Sequence, residues 1–284
     1  MNGFFLVDKA SGMTSHDVVA KARKKFGTKR VGHAGTLDPM ATGVLVLGVG
    51  NATKLLQYVV DGKKRYEATI KLGVSTHTDD REGEVLVSTD ASHVSEEMIG
   101  IELAKFVGTI MQRPSSVSAI KIDGKRAHER VRAGEVVDIP AREVTIYEIK
   151  ILEIRGPEID VEVTCSAGTY IRAIARDLGE VLKVGGHLTA LRRTLVSPFE
   201  IGECTDLESS VLIPTALGVS RMMPTRNLTS DEMIEIGFGR TIGASEESGI
   251  VAALALDGSF AALLENRDFS GKLLATPTLV AMKE

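Results

Sequence analysis

One stretch organises this sequence: GHAGTLDPMATG, residues Gly32 to Gly43. Its three glycines and single proline predict a loop rather than a helix or a strand. The apolar, β-branched run Val44–Val49 that follows predicts a buried strand. Within the loop, Pro39 fixes its own φ and pushes Asp38 towards an extended backbone conformation. The stretch therefore presents one carboxylate, that of Asp38, from a constrained loop.

Glycine-rich loops also cradle phosphates, so a nucleotide site is the first alternative for this stretch. A Walker-type phosphate loop ends in Gly-Lys-Ser or Gly-Lys-Thr, and no such ending is present. The nearby Gly48-Val49-Gly50 lacks the third glycine of a dinucleotide-binding fingerprint. An aspartate before a proline is usually a turn residue, so Asp38 alone does not establish catalysis.

The segments around the loop predict helices and strands without regular alternation between them. Upstream, Gly3–Lys9 predicts a strand, and Ser15 predicts the N-cap of a helix. Downstream, alternating apolar residues in Arg65–Leu72 and Ile159–Cys165 predict half-buried strands. Thr169 predicts the cap of a further helix. This mixture predicts an α+β fold with a largely antiparallel sheet.

The composition is that of an ordinary globular protein, because 43% hydrophobic residues are enough to form a core. No apolar run approaches the roughly 18 residues that span a bilayer. The start of the chain, Met1–Leu6, is too short for the apolar segment of a signal peptide, which predicts a cytoplasmic protein. Cys165 and Cys204 have neither a disulfide framework nor metal-ligand spacing, so we expect free thiols and no metal.

The charge is distributed unevenly along the chain. A net charge of −4 argues against binding nucleic acid, but residues 201–284 hold 12 acidic against 6 basic residues, so the acidity lies in the tail. Basic residues form two clusters, which are either solvated helix faces or phosphate contacts; their nearness to the motifs favours phosphate. The clusters are Lys21, Arg23, Lys24, Lys25, Lys29 and Arg30, and Lys121, Lys125, Arg126, Arg130 and Arg132.

The segment Gly32–Leu45 resembles the catalytic-loop motif of TruB-type pseudouridine synthases. Several further blocks appear in the same order as in that family, which makes the resemblance specific over roughly residues 3–200. They are the N-terminal Gly3–Ser15, Lys64-Arg65-Tyr66, Pro114–Lys125, Gly168–Arg172 with Asp177-Leu178-Gly179, Gly185–Leu188 and Leu191-Arg192-Arg193-Thr194.

The resemblance implies a role for each matching residue. Asp38 matches the essential catalytic aspartate, and Arg172 matches the arginine that pairs with it. Tyr66 matches the tyrosine that stacks on the target uracil and is a candidate acceptor for its C5 proton. The other matches are Leu191 with an apolar wall under the base, His33 with a histidine that helps to displace the target nucleotide, and Asp80, whose neighbour is Asp79, with an acid near the arginine.

The resemblance also implies an architecture. We expect a pseudouridine synthase fold, with a mixed, largely antiparallel central sheet flanked by helices and loops, in a catalytic domain of residues 1–212. An RNA-gripping insertion is expected at about residues 113–142. Residues 213–284 are expected to form a small, mostly β, PUA-like domain, in which Asp257-Gly258 between apolar runs predicts a hairpin.

The implied activity is that of an isomerase, an intramolecular transferase, which converts uridine to pseudouridine at position 55 in the T loop of tRNA. The target base flips out of its stack, and the reaction needs no cofactor and no metal. The partner is the T arm of tRNA, and we expect a monomer without an obligate protein partner. The alternative is a tRNA-folding chaperone on the same scaffold, which would have no need of Asp38. The expected contacts with the RNA backbone are Lys9, Lys21, Lys24, Lys25, Arg30, Lys121, Arg126 and Arg130.

Overall fold

The structure is a computed structural model that describes residues 1–115 and 139–281, and between them only the backbone of residues 121–122 and 125–126. The described helices are α1 (Ser15–Phe26), α2 (Leu56–Val60), α3 (Glu96–Ala104), α4 (Ile171–Val181), α5 (Thr215–Ser220) and α6 (Ser230–Gly237). The described strands are β1 (Gly3–Lys9), β2 (Val31–His33), β3 (Thr42–Val49), β4 (Lys64–Leu72), β5 (Val74–Thr76), β6 (Val85–Ser88), β7 (Gly108–Gln112), β8 (Lys121–Ile122), β9 (Lys125–Arg126), β10 (Arg142–Arg155), β11 (Glu158–Cys165), β12 (Gly186–Val196), β13 (Phe199–Glu200), β14 (Leu212–Pro214), β15 (Thr225–Asn227), β16 (Ile242–Gly243), β17 (Ile250–Leu254), β18 (Phe260–Phe269) and β19 (Lys272–Val280).

A ten-stranded central sheet organises the larger part of the molecule. Its strand order is β14-β1-β3-β12-β4-β11-β10-β7, with β2 paired to β3 and β13 paired to β12. The pairing of β12 with β3 is parallel, and the other pairings described in this sheet are antiparallel. This arrangement confirms the predicted α+β fold with a mixed, largely antiparallel sheet.

Alternation along β1 and β3 sends neighbouring side chains to opposite faces of the sheet, as a period of two requires. Phe5 and Val7 pack with Val18 and Val19 of α1 on one face. Phe4 and Leu6 lie on the other face, in a core that also contains Val219 and Leu263 from the C-terminal part. A strand with both faces covered is uniformly apolar, which explains the unbroken hydrophobic run in β3.

The central strands β4, β11 and β12 form the wall beside the loop. Ala68 and Ile70 of β4 pack with Ile159 and Val161 of β11 in one core, and Tyr66 lies against the same cluster. Helix α4 covers this core with its apolar face. The alternation predicted for β4 and β11 is therefore present, and it places Tyr66 on the face that α4 and the loop share.

Two helix caps differ from the sequence prediction. Thr14, not Ser15, is the N-cap of α1, because its side chain accepts a hydrogen bond from the Asp17 amide in a capping box. Ser15 is fully buried instead and contacts the loop. Tyr170, not Thr169, is the N-cap of α4, and the Thr169 hydroxyl donates to the Ser166 carbonyl. At α1 the tertiary contact with the loop uses the Ser15 hydroxyl, and at α4 the local Ser166 carbonyl uses the Thr169 hydroxyl.

The C-terminal part forms a five-stranded sheet in the order β15-β17-β18-β19-β16. The predicted turn at Asp257-Gly258 joins β17 to β18, and Gly258 adopts a φ of 78°, which a glycine tolerates without strain. The C-terminal β domain and its hairpin are thus as predicted. None of the helices in the described part of the chain has both the length and the apolar character needed to cross a lipid bilayer.

Candidate active site

The loop between β2 and β3 is fixed through its own backbone. Arg193 donates from its guanidinium to the Gly35 carbonyl (3.1 Å) and to the Thr36 carbonyl (3.4 Å). The Ser15 hydroxyl donates to the Leu37 carbonyl (3.2 Å) and accepts from the Leu37 amide (2.9 Å). These contacts come from two segments far apart in the chain and hold the residues that immediately precede Asp38.

The other half of the loop is held in the same manner. The Lys9 ammonium donates to the Pro39 carbonyl (3.2 Å), and the Ser11 hydroxyl donates to the Met40 carbonyl (3.1 Å). The Ala41 amide closes a turn by donating to the Asp38 carbonyl (3.1 Å). Each backbone carbonyl from Gly35 to Met40 therefore has a donor. These hydrogen bonds fix the loop backbone. The Asp38 side chain, which is 32% exposed, projects from the loop into the cleft.

Arg172 joins Asp38 to a second carboxylate. It lies in the first turn of α4 and is 4% exposed. Its Nε is 2.9 Å from Asp38 Oδ2, its Nη2 donates to Asp38 Oδ1 at 3.2 Å, and its Nη1 is 3.4 Å from Asp80 Oδ2. Nη1 also donates to the Thr78 carbonyl at 2.8 Å. A guanidinium fork with two-point contact fixes the plane of the carboxylate as well as its position.

The structure decides between the two adjacent aspartates. Asp79 adopts a φ of 59°, which turns consecutive side chains in different directions. Asp80 consequently faces Arg172, whereas Asp79 Oδ2 lies 3.3 Å from Nη1 of Arg176, one helical turn further along α4. Burial raises the pKa of the Asp79 carboxyl. Asp80 is held on its other oxygen by the Thr78 hydroxyl at 2.5 Å.

A cleft of about 260 Å³ opens beside Asp38. Leu191 forms an apolar wall of this cleft, opposite Ala68 in the pairing of β12 with β4. Tyr66 lies two residues earlier in β4, on the same face of the sheet. Burial raises the pKa of the Tyr66 phenol, and interaction with the Arg193 side chain opposes that rise. The lining residues are Gly35, Thr36, Leu37, Asp38, Val60, Lys64, Tyr66, Arg142, Ala167, Gly168, Thr169, Tyr170, Ile171, Arg172, Leu191 and Arg193.

Two lysines near this cleft are buried, and one of them, Lys64, is among its lining residues. Lys9 is fully buried, and its ammonium donates to the carbonyls of Ala10, Met13 and Pro39. Lys64 is 5% exposed and donates to the carbonyls of Val60 and Gly62. Burial lowers the pKa of each lysine to about 8. The expected contact of Lys9 with an RNA phosphate is wrong in this structure, because the ammonium is inside the protein with its donors engaged.

His33 lies at the end of β2, and it is not among the described residues that line the cleft. Its ring makes an edge-to-face contact with the ring of His16, with centroids 5.6 Å apart. Burial lowers the pKa of His33 to about 4, so the imidazole is neutral at neutral pH. The structure thus keeps His33 near the loop but separates it from the residues that surround Asp38.

The other cations proposed to contact RNA fall into three groups. Lys21, Lys24 and Arg30 are exposed on or just after α1, as that role requires. Lys25 differs, because its ammonium donates to the carbonyls of Leu207, Glu208 and Ser210, so its three donors are already used. The phosphate contact expected of Lys25 conflicts with this arrangement. The last group consists of Lys121, Arg126 and Arg130, whose side chains are not among those that the structure describes.

The sequence prediction missed three residues that hold the loop, Arg193, Ser15 and Ser11. Arg193 is 1% exposed and lies two residues after Leu191, so strand alternation places both on the cleft face of β12. That spacing could have identified Arg193 from the sequence. Ser15 has no such signal, because its position beside a predicted helix start suggests a cap rather than a long-range contact.

A larger cavity, of about 550 Å³, lies between the N-terminus and the C-terminal sheet. Its charged lining residues are Lys54 and Asp257, and Asp257 belongs to the hairpin turn. Within the described residues, no group of three or more histidine, cysteine, aspartate or glutamate side chains is placed to hold a metal ion. The smaller cleft around Asp38 is therefore the site whose residues can carry out covalent or proton-transfer chemistry.

Comparison with known proteins gives consistent matches along the chain. Residues 23–171 match the family model for the N-terminal domain of TruB family pseudouridylate synthases, and residues 172–212 match that for the C-terminal domain of tRNA pseudouridylate synthase B. The chain is 51% identical to tRNA pseudouridine synthase B of Corynebacterium glutamicum (strain R) over 96% of this chain and 94% of that protein. It is 48% identical to the protein of the same name from Thermobifida fusca (strain YX), over 95% and 97% of the two chains.

Among solved structures, the fold is similar to a protein in an H/ACA RNP bound to a substrate RNA that contains 2'-deoxyuridine. The TM-score is 0.72, over 99% of this chain and 85% of that chain, at 24% sequence identity. At this level of identity the similarity concerns the fold alone.

Proposed function

The chain belongs to the TruB family of pseudouridylate synthases, and we propose that it isomerises uridine 55 in the T loop of tRNA to pseudouridine. Its close relatives carry the name tRNA pseudouridine synthase B, and the chain covers almost their entire length. It is accordingly a tRNA pseudouridine synthase, an isomerase. The position of the uridine and the roles of individual residues are our proposal. The position rests on the family resemblance, and the observation that carries the residue roles is the Asp38–Arg172–Asp80 arrangement at the cleft.

The reaction breaks the N1–C1′ bond of uridine and forms a C5–C1′ bond to the same sugar. The ring loses a proton from C5 and gains one at N1, so the product is an isomer and no electrons are exchanged with a cofactor. In this proposal the Asp38 carboxylate acts either as a nucleophile that attacks the uracil ring or as a proton acceptor in an elimination at the sugar. Both routes require one carboxylate held still next to the nucleotide, which the carbonyl-bound loop and the Arg172 fork provide.

The detached uracil has to turn within the site without escaping to solvent. Tyr66 offers an aromatic face for stacking, and Leu191 offers an aliphatic surface against which the ring can turn. Because Asp38 lies in this cleft, the target base must leave its stack in the T loop to reach it, as in other enzymes that modify bases.

RNA binding is assigned to surfaces outside the cleft. We propose that Lys21, Lys24 and Arg30 contact phosphates and that His33, near the loop, helps to displace the nucleotide. Residues 1–212 are the catalytic domain in this proposal, with an insertion at about 113–142 that grips the T arm, and the PUA-like residues 213–284 contribute less to binding because they are acidic. We further propose that the protein works as a monomer in the cytoplasm, without an obligate protein partner.

The test is Asp38→Asn, which keeps the shape of the side chain and removes its charge and nucleophilicity. We expect pseudouridine formation in a T-arm tRNA substrate to fall by several orders of magnitude, because a central catalytic group is lost. Binding of tRNA should be retained, because phosphate contacts lie elsewhere. Pseudouridine is mapped at nucleotide resolution, and binding is measured on the same protein preparation.

Two controls make the result specific. Asp90→Asn changes an exposed aspartate that is not among the residues lining the cleft, and its activity should equal that of the wild type. A tRNA with cytidine at position 55 should remain unmodified throughout. Turnover by Asp38→Asn close to the wild-type rate would contradict the assignment of Asp38. Modification of a different uridine by the wild type would contradict the position.

A further inference from the structure

Arg193 is a buried cation without a carboxylate partner in the part of the chain that the structure describes. It is 1% exposed. Its Nε donates to the Val44 carbonyl at 2.8 Å, and its two terminal nitrogens donate to the carbonyls of Thr36 (3.4 Å) and Gly35 (3.1 Å). Burying a charge is costly unless several hydrogen bonds compensate for it. A side chain in such a position calls for an explanation beyond filling space.

The backbone around Arg193 is built to bring it close to the loop. A Cβ on Gly43 would lie 2.2 Å from the Arg193 carbonyl oxygen, and Gly43 has a φ of 103°. Only glycine fits this position without distortion. The parallel pairing of β12 with β3 at this point places Arg193 beside Gly43, at the end of the loop that carries Asp38.

The other side of Arg193 faces Tyr66. The two residues are direct partners in the antiparallel pairing of β12 with β4, so their side chains share one face of the sheet, and both line the cleft. The guanidinium also acts on the phenol itself, because interaction with Arg193 lowers the pKa of Tyr66 against the rise caused by burial. One side chain thus bonds to the backbone of the Asp38 loop and lies beside the proposed stacking residue.

We propose that Arg193 is a positioning residue that fixes the position of Asp38 relative to Tyr66. The catalytic carboxylate and the stacking ring can then contact the same nucleotide. This inference rests on the proposed function. A planar guanidinium suits the task, because its five N–H donors have fixed directions and can bond to two loop carbonyls and the Val44 carbonyl while the group lies beside Tyr66. An ammonium is a single point of charge with three donors and cannot reproduce this pattern.

Arg192 provides a matched control on the same strand. It is adjacent to Arg193 but points to the opposite face, where it pairs with Asp8 at 2.7 Å and its side chain is 38% exposed. Arg192 and Arg193 both belong to the block Leu191-Arg192-Arg193-Thr194. They differ in the face of the sheet to which the side chain points. An effect of strand β12 in general would appear in both variants, whereas the proposed effect would appear only at Arg193.

The experiment compares Arg193→Lys with Arg192→Lys in single-turnover reactions at saturating tRNA. We expect Arg193→Lys to slow the chemical step by about 100-fold, because a displacement of roughly 1 Å between reacting groups has an effect of this size. Affinity for tRNA should stay within twofold of the wild type, and Arg192→Lys should react at the wild-type rate. If Arg193→Lys does not fold, Arg193→Gln takes its place, since it leaves no buried charge.

A double-mutant comparison with Tyr66→Phe tests the coupling itself. If Arg193 acts through the Tyr66 hydroxyl and the loop, the two losses in rate will not multiply, because removing either partner already disrupts the shared contact. Losses that multiply would overturn the proposal, as would an Arg193 variant with the wild-type rate. A merely structural role predicts multiplying losses together with a lower Tm.

Hydrogen exchange separates this inference from the proposed function. The Leu37 amide donates to the Ser15 hydroxyl and the Ala41 amide donates to the Asp38 carbonyl; exchange at both should accelerate at least tenfold in Arg193→Lys and remain unchanged in Arg192→Lys. This measurement does not depend on the substrate. If the wild type fails to modify tRNA, the proposed function is wrong. If the wild type is active but loop exchange and rate are unchanged in Arg193→Lys, only the inference about Arg193 is wrong.

Discussion

The two sides of the Asp38 loop hold their cations in opposite ways. On the cleft side, Arg172 lies between two carboxylates, Asp38 and Asp80. Facing the loop backbone, on what we call the inner side although Arg193 also lines the cleft, Lys9 and Arg193 bond to backbone carbonyls, and neither has a carboxylate within ion-pair distance in the described part of the chain. The cleft side is an ion-pair network, whereas the inner side is a set of cations that bind the backbone.

The difference suggests that the two sides have separate tasks. A carboxylate partner fixes the orientation of another side chain, so Arg172 can orient the Asp38 carboxylate directly. A carbonyl partner fixes the backbone, so Lys9 and Arg193 can hold the loop but cannot orient the Asp38 side chain. We therefore expect changes on the cleft side to reduce catalysis most, and changes on the inner side to reduce stability as well.

The largest effect is expected for Arg172→Met on the cleft side. This change removes the only cation between Asp38 and Asp80 within the described residues, and losing one partner of a buried pair costs about 3–5 kcal/mol. We expect the single-turnover rate to fall by about 1,000-fold, measured with saturating tRNA. Arg176→Met is the matched control, because Arg176 lies one turn further along the helix and pairs with Asp79 and Asp177. A larger loss of rate in Arg176→Met than in Arg172→Met would reverse the assignment.

The next effect is expected on the inner side, for Lys9→Met. Three carbonyls lose their bond from the Lys9 ammonium, and of these the Pro39 carbonyl keeps the Gly12 amide as a donor. Removing a buried charge offsets part of the cost, and we expect the free energy of unfolding to fall by about 2 kcal/mol at pH 7. Denaturant titration measures this value. A variant as stable as the wild type would show that Lys9 does not hold the loop.

The pH dependence of that difference has a definite sign. Burial lowers the pKa of Lys9 in the folded protein to about 8, from 10.5 for the free side chain. Below pH 8 the lysine is charged in both states and the cost of burying the charge is complete. Between pH 8 and 10.5 the unfolded state binds more protons, so the wild type gains stability over Lys9→Met as pH rises, by at most about 1.4 kcal/mol per pH unit. A difference that shrinks over this range would contradict the argument.

A smaller effect is expected for Asp80→Asn, which sharpens the description of the cleft side. Asparagine keeps an oxygen for hydrogen bonding but loses the charge that faces Arg172, and we expect the rate to fall about tenfold, or about 1.4 kcal/mol. Asp79→Asn should lower the rate less than threefold, because Asp79 pairs with Arg176 instead. Equal effects of the two substitutions in a side-by-side rate measurement would mean that the adjacent carboxylates are interchangeable.

The smallest effect extends the comparison to the surface, where Lys24 and Lys25 are neighbours. The Lys25 ammonium is bound to three carbonyls, whereas Lys24 has no hydrogen-bond acceptor for its ammonium among the described residues. If Lys24 contacts a phosphate, Lys24→Gln should flatten the dependence of log affinity on log salt by roughly 0.7–0.9. Lys25→Gln should leave this slope unchanged. Titration of tRNA binding from low to high salt tests both, and a change confined to Lys25→Gln would refute the distinction.

Much of the fold followed from the sequence because it depends on local patterns. Alternating residues in β4 and β11 indicated which side chains face the core, and Gly27, with a φ of 62°, ends α1 as a glycine cap does. The resemblance named Asp38, Tyr66, Arg172 and Leu191 together, and the structure places all four around one cleft. Their catalytic roles remain predictions that the substitutions above test.

The tertiary structure decided what no local pattern could. Whether Asp79 or Asp80 meets Arg172 depends on a positive φ at Asp79, and nothing in the sequence marks that conformation. Ser15 was predicted as a helix cap, yet it holds the Leu37 backbone across a sequence separation of 22 residues. Lys9 was expected to be a surface cation. The carbonyls of Ala10, Met13 and Pro39 that bind it come together only in the folded chain, where the loop lies next to the end of β1. The periodicity of residues along a strand or a helix fixes the face on which a side chain lies. How deeply that side chain is buried, and which group it bonds to, depend on segments that meet only in the folded chain.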